Sequence, residues 1–190
     1  ATPETLLESK GDIAKTMSLA GTKEVSKGLE WSTKERQEQE FVTEYIVREL
    51  KNQGTNDINI NGPYTAKAGN IEHLRSDITF DLNKKHPLDI AIGLHPTPAV
   101  NGVPKEQSKQ LIKQIELEGS NQDRSIYTGF IGLISKTSSN LYVNLRCCEL
   151  TKNNAHIHVG GGYTLKSDPE SEWEETESKS ETLTRIFDLL

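Results

Sequence analysis

The chain has 190 residues, of which 33% are hydrophobic and 26% are charged, and its formal net charge is −6. This composition is typical of a folded domain rather than of a disordered segment. The negative charge argues against binding to nucleic acid or to an anionic membrane. The sequence has no apolar run long enough to span a bilayer, and its two adjacent cysteines form neither a disulfide framework nor a metal-binding spacing. We therefore expect a single cytoplasmic unit with no nucleic-acid or membrane partner.

Three helices are predicted in chain order. Residues 33–51 carry apolar side chains at a spacing of three and four, and Ser32 or Thr33 is a suitable N-cap. A second helix is predicted over residues 104–118, where a proline stands at the start. The last helix is predicted from residues 167–169 to the C-terminus.

The segments between the helices are rich in strand-like runs separated by polar turns. These runs are residues 57–61, 71–82, 126–135, 141–147 and 155–160. The prolines between His95 and Pro104 predict a rigid, non-helical segment, in which His95 is either catalytic or structural. Because helices and strands do not alternate regularly, the predicted fold class is α+β.

Two pairs of glutamates have matching spacings on the first and last helices. Glu35 and Glu38 are three residues apart, as are Glu172 and Glu175, so each pair presents two carboxylates on one helix face. Mg²⁺ takes oxygen ligands and needs only one or two protein carboxylates, so such pairs are candidate ligands. Lys179 extends the second face and is a candidate for holding a substrate carboxylate. The competing interpretation is an ordinary solvated acidic surface.

Two further features are candidates for anion binding. Gly160 opens a run of three glycines at a strand end, which either lets a ligand approach the backbone or forms a tight turn. Arg146 stands alone in an apolar strand-like run and is either paired internally or directed at an anion.

Together, eight motifs carry a resemblance to a known family. In order they are ATPETLL, SLAGT, KERQEQE, HPTPAVNGVPK, YTGFIG, NLRC, VGGGYT and SDPESEWEETESK. They resemble the motifs of the chorismate-binding enzymes, which include isochorismate, anthranilate, aminodeoxychorismate and salicylate synthases. The resemblance implies that residues 1–190 are the C-terminal part of a catalytic domain whose N-terminal part is absent. The implied fold is a portion of the anthranilate synthase component I-like β-sandwich with flanking helices.

The segment HPTPA resembles the isochorismate synthases, whereas salicylate synthases typically place Thr at the position of Ala99. Tyr127 stands where isochorismate synthases often have Phe and the lyases have Tyr, so a salicylate synthase or another chorismate-converting enzyme remains an alternative. A non-catalytic fragment that binds Mg²⁺ or an anion is a second alternative. Whether the product serves menaquinone or siderophore synthesis stays open, and we expect the parent protein to be a monomer or a weak oligomer.

The resemblance also implies a role for each candidate residue. Glu38 and Glu175 are the implied direct Mg²⁺ ligands, with Glu35 and Glu172 acting through water. The implied carboxylate clamp consists of Arg146, Lys179 and the backbone N–H of Gly160. Ala20, Gly21, Thr22, His73, Ala99 and Tyr127 are the remaining implied substrate-binding residues.

The implied reaction is the conversion of chorismate into isochorismate, an isomerisation in which water adds at C2 and the C4 hydroxyl departs. Because chorismate is a dianion, the site needs a metal ion, an Arg and a Lys to balance its charge. Glu4 is the implied general acid for the departing hydroxyl. In this family the water-activating Lys lies upstream of the TPE motif, so we expect the 190-residue chain alone to be inactive.

Overall fold

The computed structural model describes residues 4–25, 30–68, 71–165 and 167–187, without the side chains of residues 22, 24, 68, 71 and 182. Its strands are β1 (Glu4–Lys10), β2 (Ile13–Glu24), β3 (Asn56–Ala68), β4 (Ile71–Asp81), β5 (Phe130–Ile134), β6 (Ser138–Val143), β7 (Cys147–Leu150) and β8 (Ala155–His158). Its helices are α1 (Thr33–Asn52), α2 (Pro87–Leu94), α3 (Pro98–Asn101), α4 (Lys105–Ile112), which continues as a π-helical segment (Lys113–Gly119), and α5 (Pro169–Phe187). The predicted mixture of helix and strand is confirmed. Within these described ranges, no helix is long and apolar enough to cross a membrane.

Two compact units share the chain. The sheet unit comprises residues 5–99 and 132–141, and the hairpin unit comprises residue 4 together with residues 100–131 and 142–187. Most of a six-stranded sheet, in the order β3-β4-β2-β1-β6-β5, belongs to the sheet unit together with α1 and α2. The hairpin unit contains the antiparallel pair β7-β8, helix α4 and helix α5.

The core of the sheet unit follows from alternation along its strands. In β4 the buried side chains are every second residue, namely Leu74, Ser76, Ile78 and Phe80. Long antiparallel ladders join β4 to β2 on one side and to β3 on the other. Helix α1 covers the sheet with its own apolar stripe, whose buried members are Tyr45, Ile46 and Leu50. A half-buried antiparallel sheet of this kind matches the expected period of two.

Local capping explains where the two long helices begin. Ser32 is the N-cap of α1 and forms a capping box with Glu35, in which each side chain meets the other residue's backbone N–H. In the hairpin unit, Asp168 accepts hydrogen bonds from the backbone N–H and the hydroxyl of Ser171, and Pro169 opens α5. These contacts lower the pKa of Asp168. Both helix starts agree with the predictions.

Several element predictions were wrong. Strands β1 and β2 and helix α2 have no counterpart among the predicted elements. The segment expected to be non-helical contains the one-turn helix α3. The strand predicted over residues 141–147 is divided into β6, which ends at Val143, and β7, which begins at Cys147. Between them, the backbone N–H of Asn144 donates to the carbonyl of Gly129 and its side-chain amide donates to the carbonyl of Ile126. Arg146 consequently lies between β6 and β7 rather than within a strand.

Candidate functional site

In the sheet unit, the first glutamate pair lies on the face of α1 that turns toward protein. Glu35 and Glu38 are half-buried, whereas the neighbouring Lys34 and Arg36 are exposed. Glu35 accepts a hydrogen bond of 2.6 Å from the backbone N–H of Ser32 through Oε2, and Glu38 lies 3.8 Å from the ammonium group of Lys34. The predicted common face is therefore present. Each carboxylate has a donor or a cation beside it, which reduces the repulsion between the pair.

The next residue on this face was not predicted as a site residue. Gln39 is 1% exposed, and its amide nitrogen lies 2.9 Å from the Ser18 hydroxyl and 3.1 Å from the Ser76 hydroxyl. The Ser18 hydroxyl also contacts that of Thr43, at 2.7 Å. This buried network ties α1 to β2 and β4 and so sets the position of Glu38. The sequence signal was a polar residue at a stripe position, where an apolar one is usual.

The SLAGT motif forms a bulge at the end of β2. The register with β4 shifts between Ala20 and Thr22, and Gly21 has a φ of +71°, a backbone conformation that side chains other than glycine rarely adopt. The Gly21 carbonyl oxygen lies 3.1 Å from Nδ1 of His73, and a Cβ added at Gly21 would lie 3.1 Å from Cβ of Glu35. The bulge thus brings three of the predicted residues together in this unit.

The other candidates of this unit are less informative. Ala20 is half-buried and pairs in register with Leu74, and Ala99 is exposed in helix α3. The side chain of Thr22 lies outside the described residues, as do the first three residues of the ATPETLL motif.

In the hairpin unit, helix α5 turns a polar face toward protein. Its half-buried positions are Glu172, Glu175, Thr176, Lys179 and Ser180, followed by the buried Leu183. The large apolar Trp173 is instead 61% exposed. A helix that only packs against its neighbours places apolar residues on the inner face. The inner face of α5 therefore carries two carboxylates and an ammonium group at positions where a packing helix usually carries apolar side chains.

Several predicted site residues of the hairpin unit lie around Gly160. The ammonium group of Lys179 lies 2.6 Å from Oε1 of Glu175 and donates to the carbonyl oxygen of Gly160 at 3.1 Å. A Cβ added at Gly160 would lie 2.7 Å from the Tyr127 hydroxyl, and one added at Gly161 would lie 3.5 Å from Oε2 of Glu172. A side chain at Gly160 would therefore collide with the tyrosine. The strand-end glycines, the helix acids and the lysine form one polar cluster.

Tyr127 lines this cluster in a half-buried position. Its ring stacks on that of His158 with the centroids 5.6 Å apart. Burial raises the pKa of the Tyr127 phenol, and the nearby positive charges of Arg124 and Arg146 oppose that change. Tyr127 is therefore a neutral hydroxyl at ordinary pH, able to donate or accept a hydrogen bond.

Arg146, the second cation of the predicted carboxylate clamp, also lies in the hairpin unit. It has a φ of +43°, and Nη2 lies 3.1 Å from Oε1 of Glu4. Arg146 and Glu4 are both largely covered, with side-chain exposures of 20% and 27%. The sequence left an internal pair and an anion-binding role open for Arg146. The structure shows the pair, and the partner is itself a predicted site residue.

The donor chemistry of both glutamate pairs suits a hard divalent cation. All four side chains offer carboxylate oxygens on half-buried helix faces, which is the ligand type that Mg²⁺ takes. Glu38 and Glu175 already lie beside lysines, so a metal ion would compete with those ammonium groups. Among the described residues, no three His, Cys, Asp or Glu side chains converge in a group able to hold a metal ion.

Comparison with known proteins gives consistent matches over nearly the whole chain. The profile of the family described as "Chorismate binding enzyme" matches residues 1–188. The isochorismate synthase EntC of Escherichia coli K12 is 29% identical over 202 residues, covering 100% of this chain and 50% of EntC. Isochorismate synthase 2, chloroplastic, of Arabidopsis thaliana is 32% identical, covering 98% of this chain and 35% of that protein.

A solved structure agrees with these sequence matches. That of MenF, the menaquinone-specific isochorismate synthase from Escherichia coli, superposes with a TM-score of 0.84 at 28% identity, covering 95% of this chain and 44% of MenF. The chain thus spans about half the length of the curated relatives it matches. Its motifs, its mixed fold and the family profile lead to one conclusion: the chain belongs to the chorismate-binding enzyme family.

Proposed function

We propose that this chain is the part of an isochorismate synthase that binds Mg²⁺ and the carboxylates of chorismate. The observation that carries the proposal is the double contact of Lys179, which joins Glu175 of the acidic helix face to the glycine turn at Gly160. A lysine, a glycine turn and a glutamate pair meet there on a face that an ordinary packing helix would make apolar. The full-length relatives named isochorismate synthases support the assignment.

The two cations have complementary tasks in this proposal. Arg146 and Lys179 each bind one carboxylate of the substrate dianion, because charge-assisted hydrogen bonds are stronger than hydrogen bonds between neutral groups. Both cations now hold a protein carboxylate, Glu4 for Arg146 and Glu175 for Lys179. A substrate carboxylate on Arg146 would replace Glu4 and leave that carboxyl group free to face the departing hydroxyl. Tyr127 supplies a neutral hydroxyl beside Gly160.

In this proposal Glu38 of the sheet unit and Glu175 of the hairpin unit are each direct Mg²⁺-ligand candidates, and Glu35 and Glu172 are candidates to act through water. When bound, the ion supplies positive charge that offsets the substrate carboxylates. The buried Gln39 network then matters because it keeps the Glu38 face of α1 in place. Isomerisation also needs a base for the attacking water, and none of the residues above has that role, so we expect the 190-residue chain to bind chorismate without converting it.

Isothermal titration of chorismate into the chain, with and without Mg²⁺, tests the proposal. We expect binding that requires Mg²⁺ and is weakened at least about tenfold by Glu175→Gln, because one charged ligand is removed. Glu174→Gln is the matched control, because Glu174 is exposed on the same helix and its substitution changes the net charge by the same amount. Equal chorismate affinity in the two variants would contradict the proposal, as would a chorismate affinity that is the same with and without Mg²⁺. Detectable turnover by the chain would contradict the expected inactivity.

A salicylate synthase is the second candidate, and Tyr127 is the residue that favours it. This tyrosine stands where the isochorismate synthases often carry phenylalanine, and its hydroxyl faces the Gly160 turn. A product assay on the full-length protein separates the two, because one reaction leaves isochorismate and the other releases salicylate and pyruvate. Salicylate formation that disappears in Tyr127→Phe would favour the second candidate.

A further inference from the structure

Arg124 and Glu116 form an ion pair in the hairpin unit that the proposed function does not use. Glu116 lies in the π-helical segment that follows α4, and Arg124 lies in the loop before β5. Nε of Arg124 lies 2.5 Å from Oε2 of Glu116 and Nη2 lies 2.6 Å from Oε1, so the guanidinium group binds both carboxylate oxygens. The two side chains are 28% and 31% exposed. A bidentate pair of this kind fixes the orientation of the guanidinium plane.

The same guanidinium group also stabilises the turn that carries Tyr127. Nη1 of Arg124 donates to the carbonyl oxygen of Val100 at 3.2 Å and to the Thr128 hydroxyl at 3.4 Å. The backbone N–H of Tyr127 donates to the carbonyl oxygen of Arg124 at 2.7 Å, which closes a β-turn. Thr128 has a φ of +62°, which residues other than glycine rarely adopt. The turn therefore depends on side-chain contacts, and Arg124 supplies two of them.

The Tyr127 side chain is the part of the candidate site that this turn positions. The guanidinium carbon of Arg124 lies 5.9 Å from the ring centroid, within the range of a cation–π contact, and the His158 ring is stacked on the tyrosine at 5.6 Å. The Tyr127 hydroxyl lies at the Gly160 turn, 2.7 Å from the position of an added Cβ. A displacement of the Tyr127 turn would therefore move the hydroxyl relative to Gly160.

We propose that Arg124, oriented by Glu116, is a positioning residue that fixes the Tyr127 hydroxyl against the Gly160 turn of the chorismate site. This role rests on the proposed function, because chorismate is the ligand that the hydroxyl would meet there. Arg124 acts through Tyr127 rather than on the substrate, since all three of its guanidinium nitrogens already donate to protein groups.

Two substitutions, one on each side of the ion pair, test this role by titration of chorismate in the presence of Mg²⁺. Arg124→Gln removes the guanidinium group, whereas Glu116→Gln keeps it and removes the carboxylate that orients it. We expect both variants to bind chorismate about threefold to tenfold more weakly, because a hydrogen bond of Tyr127 loses its alignment. Glu118→Gln is the matched control, since Glu118 is 60% exposed in the same π-helical segment, and it should bind like the parent chain.

The two variants also distinguish a positioning residue from one that binds the substrate directly. If Arg124 bound chorismate itself, Glu116→Gln would release the cation and tighten chorismate binding, which would overturn the proposal. In a Tyr127→Phe background, Arg124→Gln should cause little further loss, because the hydroxyl that it positions is absent. An equal loss of chorismate affinity in both backgrounds would also overturn the proposal.

A measurement without chorismate separates this role from the proposed function. In the chain with ¹³C-labelled tyrosine, stacking on His158 shifts the ring signals of Tyr127, which Tyr127→Phe identifies. Arg124→Gln and Glu116→Gln should move these signals toward those of free tyrosine, while the signals of Tyr45 and Tyr64 stay in place and report an intact sheet unit.

Unchanged Tyr127 signals in both variants would overturn the positioning role, whatever chorismate does. Shifted Tyr127 signals in a chain that does not bind chorismate would support the positioning role and contradict the proposed function. If Arg124→Gln does not fold, Glu116→Gln alone decides both measurements, because it keeps the guanidinium group and its contacts to Val100 and Thr128.

Discussion

The two units hold their candidate residues in different ways. Most buried apolar side chains belong to the sheet unit, whereas the hairpin unit contributes Val143, Cys147 and Leu183 among the described residues. Large apolar side chains are exposed in both units, and in the hairpin unit they include Leu111 at 55% and Trp173 at 61%. A packed apolar core therefore positions the candidate site residues of the sheet unit. Ion pairs and hydrogen bonds position those of the hairpin unit, so substitutions should affect the two units differently.

The largest expected effect is on the core of the sheet unit. Phe80 is 1% exposed, and Phe80→Ala should lower the free energy of unfolding by about 3–5 kcal/mol, because it removes buried apolar area and leaves a cavity. Urea denaturation measures this change. Phe41→Ala is the control, since Phe41 is 45% exposed on α1 and should cost less than about 1 kcal/mol. Similar losses in both variants would break the contrast between core and surface.

The next largest loss of stability is expected from a substitution at Gly21, in the bulge of β2. Gly21→Ala should destabilise the chain by about 1–2 kcal/mol through its left-handed backbone conformation, and the new Cβ would press on Glu35 at 3.1 Å. Gly11→Ala is a matched control, because Gly11 also has a positive φ, of +59°, but no atom lies within 4 Å of an added Cβ. Thermal denaturation compares the two. A loss in Gly11→Ala as large as that in Gly21→Ala would show that backbone strain, rather than the Glu35 contact, dominates at Gly21.

A smaller effect is expected when one ion pair is removed from each unit. In the sheet unit, Arg75 donates to Asp77 through two nitrogens, at 2.7 and 3.0 Å, and the Tyr64 hydroxyl donates at 2.6 Å. Partial burial would raise the pKa of Asp77, but these hydrogen bonds and the charge of Arg75 outweigh it and lower the pKa. A lowered pKa stabilises the fold above the unfolded value of about 3.9, and this stabilisation disappears as the pH falls through the folded value.

Asp77→Asn should therefore cost up to about 1 kcal/mol at neutral pH and should flatten the acid side of the stability profile. Glu4→Gln removes the carboxylate charge that faces Arg146 at 3.1 Å in the hairpin unit and should cost less. Unfolding free energies measured from pH 7 to pH 3 give both values. A steeper pH dependence in Asp77→Asn than in the parent chain would contradict the assigned sign.

The smallest effect is expected at the exposed face of α5. Trp173→Ala should change the free energy of unfolding by less than about 0.5 kcal/mol, because Trp173 is 61% exposed. Denaturation of the 190-residue chain measures this change. A loss comparable to that of Phe80→Ala would mean that the hairpin unit has a packed core of its own, and the comparison between the units would fail.

Helix boundaries and the fold class were predictable because they rest on local chemistry. The apolar spacing in α1, the Ser32 capping box and the Asp168-Pro169 start of α5 are all visible in neighbouring residues. Strands β1 and β2 were missed because their stability comes from ladders to distant partners, such as Ala14 with Phe80. The same reason explains the wrong strand end at Val143, because the hydrogen bonds of Asn144 are to Gly129 and Ile126, which are distant in sequence.

The amino-acid sequence by itself determined the family, the two glutamate pairs and the order of the motifs, because those are properties of residue type and spacing. The tertiary structure decided which candidates meet. It placed Lys179 on both Glu175 and Gly160, Arg146 on Glu4, and Gly21 beside His73. Contacts between residues far apart in the chain depend on how strands pair and helices pack, so residue spacing alone does not predict them.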